Sequence, residues 1–256
     1  MSWRARVAGR FAFEAAQRED AQGGEVRAVF RRSCYVRFGT RYVCVGDASL
    51  GRGPLNALVD DFHAPAIGER VSLVLDGTQL WTASPLPADA TPGVRALRAA
   101  ARDRVPGEGL GGLIVDAHNV LSGHAQPALE AVDRFLVGHT LDDEAQALIG
   151  LGPGLTPSGD DYLGGVLIAL HQFGRKPQAQ SLWRWLKPRL GRTSDISGAH
   201  LEAAAAGEGH EALHRCIEAL GAAAPGWDDA LAALDRVGHC SGWDSLAGVA
   251  AVAKLS

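Results

Sequence analysis

One stretch limits what this chain can fold into more than any other. It reads Gly150-Leu-Gly-Pro-Gly-Leu-Thr-Pro-Ser-Gly-Asp-Asp-Tyr-Leu-Gly-Gly165 and runs straight into Val166-Leu-Ile-Ala-Leu170. Half of its positions are Gly or Pro. Such a segment offers little side-chain surface, so its backbone path is what matters: Gly permits positive φ or close approach, and Pro fixes φ. Ser158 or Thr156 is placed to cap the helix that follows, with Asp160 and Asp161 in its first turn. The expectation is a glycine-rich loop feeding a helix N-terminus, a ready site for an anion. The plainer alternative is an ordinary loop before a well-capped helix.

The rest of the chain sets the surroundings of that loop. Its 256 residues suit one large or two small domains. Hydrophobic residues at 46% and charged residues at 21% are ordinary for a globular protein with a sizeable core. A net charge of −4 gives no basic footprint for nucleic acid and argues against a membrane-surface role. No apolar run approaches the roughly 20 residues that span a bilayer. The N-terminal residues lack the apolar core of a signal peptide, so a cytoplasmic location is expected. Cys34, Cys44, Cys216 and Cys240 show no metal-like spacing. Reduced cysteines are the default, although Cys34 and Cys44 flank a predicted hairpin and a bridge between them is conceivable.

In chain order, residues 1–23 are polar and Ala-rich and read as an N-terminal arm, part of it a short helix. Val26–Phe30, Cys34–Phe38 and Tyr42–Val45 are short, rich in β-branched and aromatic residues, and read as strands. Gly39-Thr-Arg41 joins the second to the third. Leu55–Val59 is a further strand candidate. Val71–Leu75, Asp76-Gly77 and Thr78–Thr82 form the clearest hairpin pattern, because Asp-Gly between strand-like runs favours a tight turn. Residues 24–90 therefore read as a small antiparallel β domain. Pro85, Pro87 and Pro92 mark its end. Residues 91–256 read as a mostly helical domain with candidate helices at 93–103, 126–137, 142–149, 158–173, 178–190, 197–206, 211–220, 227–237 and 242–254. The predicted class is α+β: a small antiparallel β N-terminal domain followed by a mostly helical C-terminal domain carrying the Gly-rich motif.

The motif has an echo. Ser158-Gly-Asp-Asp-Tyr-Leu-Gly-Gly-Val166 overlays Ser241-Gly-Trp-Asp-Ser-Leu-Ala-Gly-Val249, 83 residues later. Both fit S-G-x-D-x-L-x-G ahead of an apolar run. In each, the Ser can cap and the Asp three residues on completes a capping box. Gly165 and Gly248 would admit another helix closely. The functional reading brings both helix N-termini to one pocket; the structural one gives two good helix starts. Thr193 or Ser197, in Thr193-Ser-Asp-Ile-Ser197, is a third candidate cap.

The residues Gly150–Gly165 resemble the signature of the AllH family, which is named for a subunit of oxamate carbamoyltransferase in anaerobic allantoin breakdown. Thr193–Ser197 with Leu201 and Ala205-Ala-Gly207, and the closing Gly238-His-Cys-Ser-Gly-Trp-Asp-Ser-Leu-Ala-Gly248, are similar to further patterns of that family, and so is the order of β-rich and helical parts. The likeness extends from about residue 24 to the end. It implies a subunit that works with others to move a carbamoyl group between oxalurate and phosphate.

Such a transfer needs cradles for phosphate and carboxylate, and donors aimed at the carbamoyl oxygen. The N–H groups of Gly152, Gly154 and Gly159 and the hydroxyls of Thr156 and Ser158 suit that task, with Thr193, Ser197, Ser241 and Asp244 as further substrate-binding candidates. No Lys lies in the motif, so it is not a P-loop; Arg192 or a metal would supply positive charge. Asp160, Asp161 and His200 are the catalytic candidates, His200 and His239 as acid/base groups near helix starts. One aspartate could hold Mg²⁺ with a substrate phosphate; no dedicated protein metal site is predicted. The rival readings are a non-catalytic assembly or regulatory subunit and a metal-dependent hydrolase using Asp160 and Asp161.

Overall fold

A computed structural model describes residues 1–18, 23–86, 93–221 and 226–255. Pro87 and Pro92, read as boundary markers, lie outside the described residues. The chain divides into two compact units, Met1–Ala83 and Ser84–Ser256.

The first unit holds β1 (Ser2–Gly9), α1 (Arg10–Arg18), β2 (Gly24–Val29), β3 (Ser33–Phe38), β4 (Arg41–Gly46), β5 (Asn56–Val59), β6 (Arg70–Val74) and β7 (Gln79–Trp81). It corrects the expected small antiparallel sheet. The ladder runs β5-β4-β3-β2-β6-β1-β7, and β5 also pairs with β1. Six strands therefore close into a barrel, with β7 attached to β1. The pairing is mixed: β1–β6, β1–β7 and β4–β5 are parallel, the rest antiparallel.

Two features account for the difference. Residues 2–9, expected as arm or helix, form the strand that closes the ring. Trp3 and Ala5 point in, while Arg4 and Arg6 take the other face and are exposed. This is a period-two pattern that the strand's Ala content hides. The second feature is the Asp76-Gly77 turn. It forms, with Gly77 at φ 74° and Thr78 N–H donating to Leu75 O at 3.0 Å. The strands it joins do not pair with each other. β6 pairs with Ser2–Arg4 and β7 with Val7–Gly9, so β1 takes the place of the hairpin partner.

The predicted β3–β4 hairpin is present, with Phe38 opposite Arg41. Its register settles the cysteine pair. Cys34 faces Val45, and Cys44 faces Tyr35. Directly paired residues share a face and successive residues alternate, so the two thiols point to opposite faces. Both are buried and free. Closure buries Trp3, Val26, Val36, Phe38, Val43, Val45, Val71 and Leu73 in one core, to which α1 adds Ala12, Ala15 and Ala16. It also pairs both edges of the six-stranded sheet, leaving only β7 as an edge among the described residues.

The second unit is helical: α2 (Val94–Ala101), α3 (Val120–His124), α4 (Gln126–Leu136), α5 (Ser158–Gln172), α6 (Lys176–Leu186), α7 (Asp195–Ala205), α8 (Glu211–Leu220), α9 (Trp227–Leu234) and α10 (Ser241–Ala253). Gly111–Val115, Asp143–Leu148 and Lys187–Arg192 are 3-10 segments; the second was expected as an amphipathic α-helix.

The centre of this unit is the pair α5 and α10. Nearly all of Ser158–Leu170 and Gly242–Ala253 is buried, as expected of helices that are apolar all round. They meet backbone to backbone. A Cβ on Gly165 would lie 1.9 Å from Ser245 O, and one on Gly248 would lie 2.1 Å from Tyr162 O. Since 165 and 248, and 162 and 245, are equivalent positions of the sequence echo, the contact is a local pseudo-two-fold. Both glycines are required by the close approach.

Candidate functional site

The same pseudo-symmetry governs the polar groups at the two helix starts. Neither Ser158 nor Ser241 caps its own helix: the N-cap residues are Pro157 and Cys240, and neither makes a side-chain cap bond. In place of the expected capping boxes, the polar groups act between the helices. The Ser158 hydroxyl favours the ionised Asp244 carboxyl, and the Ser241 hydroxyl favours that of Asp161. Thr156 joins the second pair, with its Oγ1 3.1 Å from Ser241 Oγ and a further bond to Asp161. Each serine thus serves the aspartate of the other copy.

The two aspartates differ in what else they meet. Asp244 is 1% exposed. Its Oδ1 accepts from Leu110 N–H at 2.5 Å and Gly111 N–H at 3.1 Å. The second glycine-rich loop wraps it so closely that a Cβ on Gly109, at φ 72°, would fall 2.4 Å from Oδ1. Burial pushes its pKa up to about 6, against the pull of Ser158 and the two amides. Asp161 is partly exposed as a residue, but its Oδ2 is enclosed and has no hydrogen-bond partner. Burial first, then the charges of Asp244 and Asp160, raise its pKa well above the usual carboxylate range despite Ser241 and Thr156. These influences favour the protonated carboxyl, the form that can donate.

Asp160 does something else. It is 2% exposed. Its Oδ1 accepts from Gly150 N–H at 2.9 Å, and its Oδ2 accepts from the Thr193 hydroxyl and from Ser197 Oγ at 2.7 Å. Both oxygens are committed to tying the loop start to α7. Thr193 and Ser197 therefore face Asp160 and do not cap α7; Ser194 caps it, accepting from Ser197 N–H at 3.0 Å and donating to Leu155 O at 2.6 Å.

Held at those points, the loop has the backbone its composition requires: Gly150, Gly152 and Gly154 sit at φ 75°, 105° and 99°. Gly159 is needed for packing, because a Cβ there would lie 2.0 Å from Leu148 O. Its N–H is taken by Leu151 O at 2.9 Å, so it does not join an anion cradle as expected. Asp160 and Asp161 N–H groups go to Pro157 O. Among the described residues, the N–H groups of Gly152, Gly154, Leu155, Thr156 and Ser158 find no acceptor within the protein. Arg192 ends the 3-10 segment beside the loop, its carbonyl 2.7 Å from where a Gly150 Cβ would be. Its side chain is exposed, with no carboxylate in ion-pair range among the described residues.

With that geometry in place, residues 148–253 match the family described as oxamate carbamoyltransferase subunit AllH. The resemblance read from the motif is borne out over this span. The AllH match takes in the loop, α5, the Thr193–Ser197 turn and α10. It does not extend over residues 24–147, where the sequence likeness was also read. No solved structure matches the chain.

Outside the loop, His200 lies on α7 with its pKa lowered to about 4 by burial and by neighbouring His210, so its imidazole is neutral near pH 7. His210 caps α8, and His214 Nε2 accepts from Gly209 N–H at 3.0 Å. Trp243 is core, donating to Asp235 Oδ1 at 2.9 Å. Sequence reasoning missed the role of Leu110 and Gly111. The available signal was the glycine-rich Pro106–Gly112 stretch, which nothing in its own residues ties to Asp244. No described helix is long and apolar enough to cross a membrane.

Proposed function

We propose that this chain is an AllH-type subunit of a cytoplasmic carbamoyltransferase, and that it binds a small anionic substrate at the Gly152–Ser158 loop. The observation that carries this reading is the run of five unpaired N–H groups beside the Thr156–Ser241 hydroxyl pair and next to an acid whose pKa is raised well above the carboxylate range. Anion cradles need donors and an absence of opposing charge. Three donors take up both Asp160 oxygens, burial favours the protonated form of Asp161, and the exposed Arg192 lies beside the loop.

The reaction the family's description suggests is oxalurate plus phosphate to oxamate plus carbamoyl phosphate, within a complex of several subunits. A phosphate oxygen bonds to the carbamoyl carbon, the bond from that carbon to the oxamate nitrogen breaks, and the nitrogen takes a proton. Asp161 is suited to donate it and to recover it from the attacking monohydrogen phosphate. The loop amides and Thr156 are suited to hold phosphate or carboxylate, with proximity as the main source of rate. Asp160 fits a positioning role, since both its oxygens are spent; the same fact disfavours a hydrolase built on Asp160 and Asp161 as paired metal ligands. Ser158 and Asp244 fit positioning roles too.

The test is a thermal melt of the whole chain with millimolar phosphate, oxalurate and oxamate. Ligand at 100 times Kd raises stability by about 2.7 kcal/mol. Thr156→Ala and Ser241→Ala should fold and lose the shift. Asp161→Asn, a mimic of the protonated acid, should keep the shift and abolish carbamoyl transfer by the assembled complex. No shift with any of the three anions would overturn the anion-site reading.

A further inference from the structure

Three ligating side chains outside the anion loop converge on the start of α10. Glu108 comes from the Pro106–Gly109 stretch; His239 and Cys240 immediately precede the helix. One ligand atom from each lies within 4.8 Å of the other two, and His239 Nε2 is 3.1 Å from Glu108 Oε2. A tetrahedral zinc site has Zn–S near ~2.3 Å and Zn–N and Zn–O near ~2.0–2.2 Å. That sets its ligand atoms roughly 3–4 Å apart, which small rotations of these side chains reach.

The backbone carrying the ligands is fixed from several sides. Leu110 and Gly111 are anchored on Asp244. Asn119 Nδ2 donates to Gly107 O at 3.1 Å and Gly109 O at 2.8 Å, on both sides of Glu108. On the other strand of chain, Gly242 N–H donates to Val237 O at 3.1 Å, closing a turn around His239 and Cys240. Sites held on anchored backbone are the ones that bind without reorganising.

We propose that Glu108, His239 and Cys240 bind one divalent transition-metal ion of the zinc class, with its fourth position open to solvent. Mixed thiolate, imidazole and carboxylate donors select zinc over magnesium or calcium, and three protein ligands with one open position is the catalytic pattern of zinc. The site adjoins the anion loop through Ser241 but shares no ligand with it, and it does not require carbamoyl chemistry.

The experiment titrates the metal-stripped full chain with Co²⁺, then Zn²⁺. One equivalent of Co²⁺ should bind with a thiolate-to-cobalt charge-transfer band that Zn²⁺ removes. Cys240→Ser should abolish the band, and His239→Ala and Glu108→Gln should each weaken binding at least tenfold, all three with unchanged circular dichroism. Cys216→Ser, a buried thiol outside the cluster, should behave as wild type. A wild-type chain with no such band, or a band that survives Cys240→Ser, overturns the proposal; neither result bears on the response to phosphate.

Discussion

The neighbouring glycines Gly164 and Gly165 should respond to alanine with opposite signs. Helix propensity treats them alike: both lie inside α5, where Gly→Ala is worth about 0.5–1 kcal/mol in favour of Ala. Their surroundings do not. A Cβ on Gly164 would meet Ala204 Cβ at 3.7 Å and Leu201 Cδ2 at 3.9 Å, which is ordinary contact. A Cβ on Gly165 would sit 1.9 Å from the Ser245 carbonyl oxygen, whereas ordinary contact begins at 3.4 Å. The obstacle is backbone, so no rotamer relieves it; α5 and α10 must part by about 1.5 Å. Overpacking of that kind costs about 1–3 kcal/mol. The parting also stretches the Ser158–Asp244 and Asp161–Ser241 bonds, each worth about 0.5–1.5 kcal/mol. Setting the propensity gain against these, Gly165→Ala should lose about 2–4 kcal/mol. At about 2–4 °C per kcal/mol for a unit of this size, its Tm should fall by roughly 5–15 °C, while that of Gly164→Ala rises by about 1–4 °C. Urea and thermal melts of both variants decide the matter. If Gly165→Ala melts at or above wild type, the backbone contact between α5 and α10 is refuted.

Three further outcomes follow from the buried polar groups. Asp160→Ala leaves Gly150 N–H and the Thr193 and Ser197 hydroxyls without their acceptor; a urea melt should show a loss of roughly 2–4 kcal/mol. Asp244 keeps its proton in the fold up to about pH 6, whereas the unfolded carboxyl releases it near 3.8. Between those values the folded state binds more protons, so stability should fall as pH rises from about 4 to about 6, by at most about 3 kcal/mol, then level off. Asp244→Asn should flatten that slope in melts across the range; an unchanged slope would show that Asp244 is not its source. Burial pushes Cys34, Cys44 and Cys216 up to about 12, so a thiol reagent on the native chain should modify Cys240 first and the other three only on unfolding.

The helical half of the fold was legible because its elements declare themselves locally. α5, α8 and α10 begin and end within a residue or so of where periodicity and glycine place them. The barrel was not, because closure is decided between distant segments. Arg4 and Arg6 mask the strand at 2–9, and the Asp76-Gly77 turn looks the same whether its two arms pair with each other or with β1. The site divides in the same way. Positive φ at Gly150, Gly152 and Gly154 follows from their identity. The exchange of Ser158 and Ser241 between helices does not, since a serine three residues before an aspartate fits a capping box equally well.

That exchange explains why the two copies of the motif are not equivalent. Two-fold packing offers each aspartate the same partner, a serine from the other helix. Beyond that, the surroundings diverge. The Leu110–Gly111 amides fill the space at Asp244, so its polar needs are met within the fold. At Asp161 the corresponding loop turns its amides elsewhere: Gly150 N–H goes to Asp160, those of Gly152, Gly154, Leu155, Thr156 and Ser158 have no acceptor among the described residues, and Asp161 Oδ2 has no partner there. Buried polar groups in folded proteins are seldom left unmatched, so the enclosed Asp161 Oδ2 is the exception here, beside a loop whose amides at Gly154 and Leu155 are open to solvent. One copy is matched within the fold, and the other keeps donors and an acid that the fold itself does not match. The asymmetry favours the Gly150 loop as the seat of function, with α10 supplying Ser241 to it and holding the two starts together through Gly165 and Gly248.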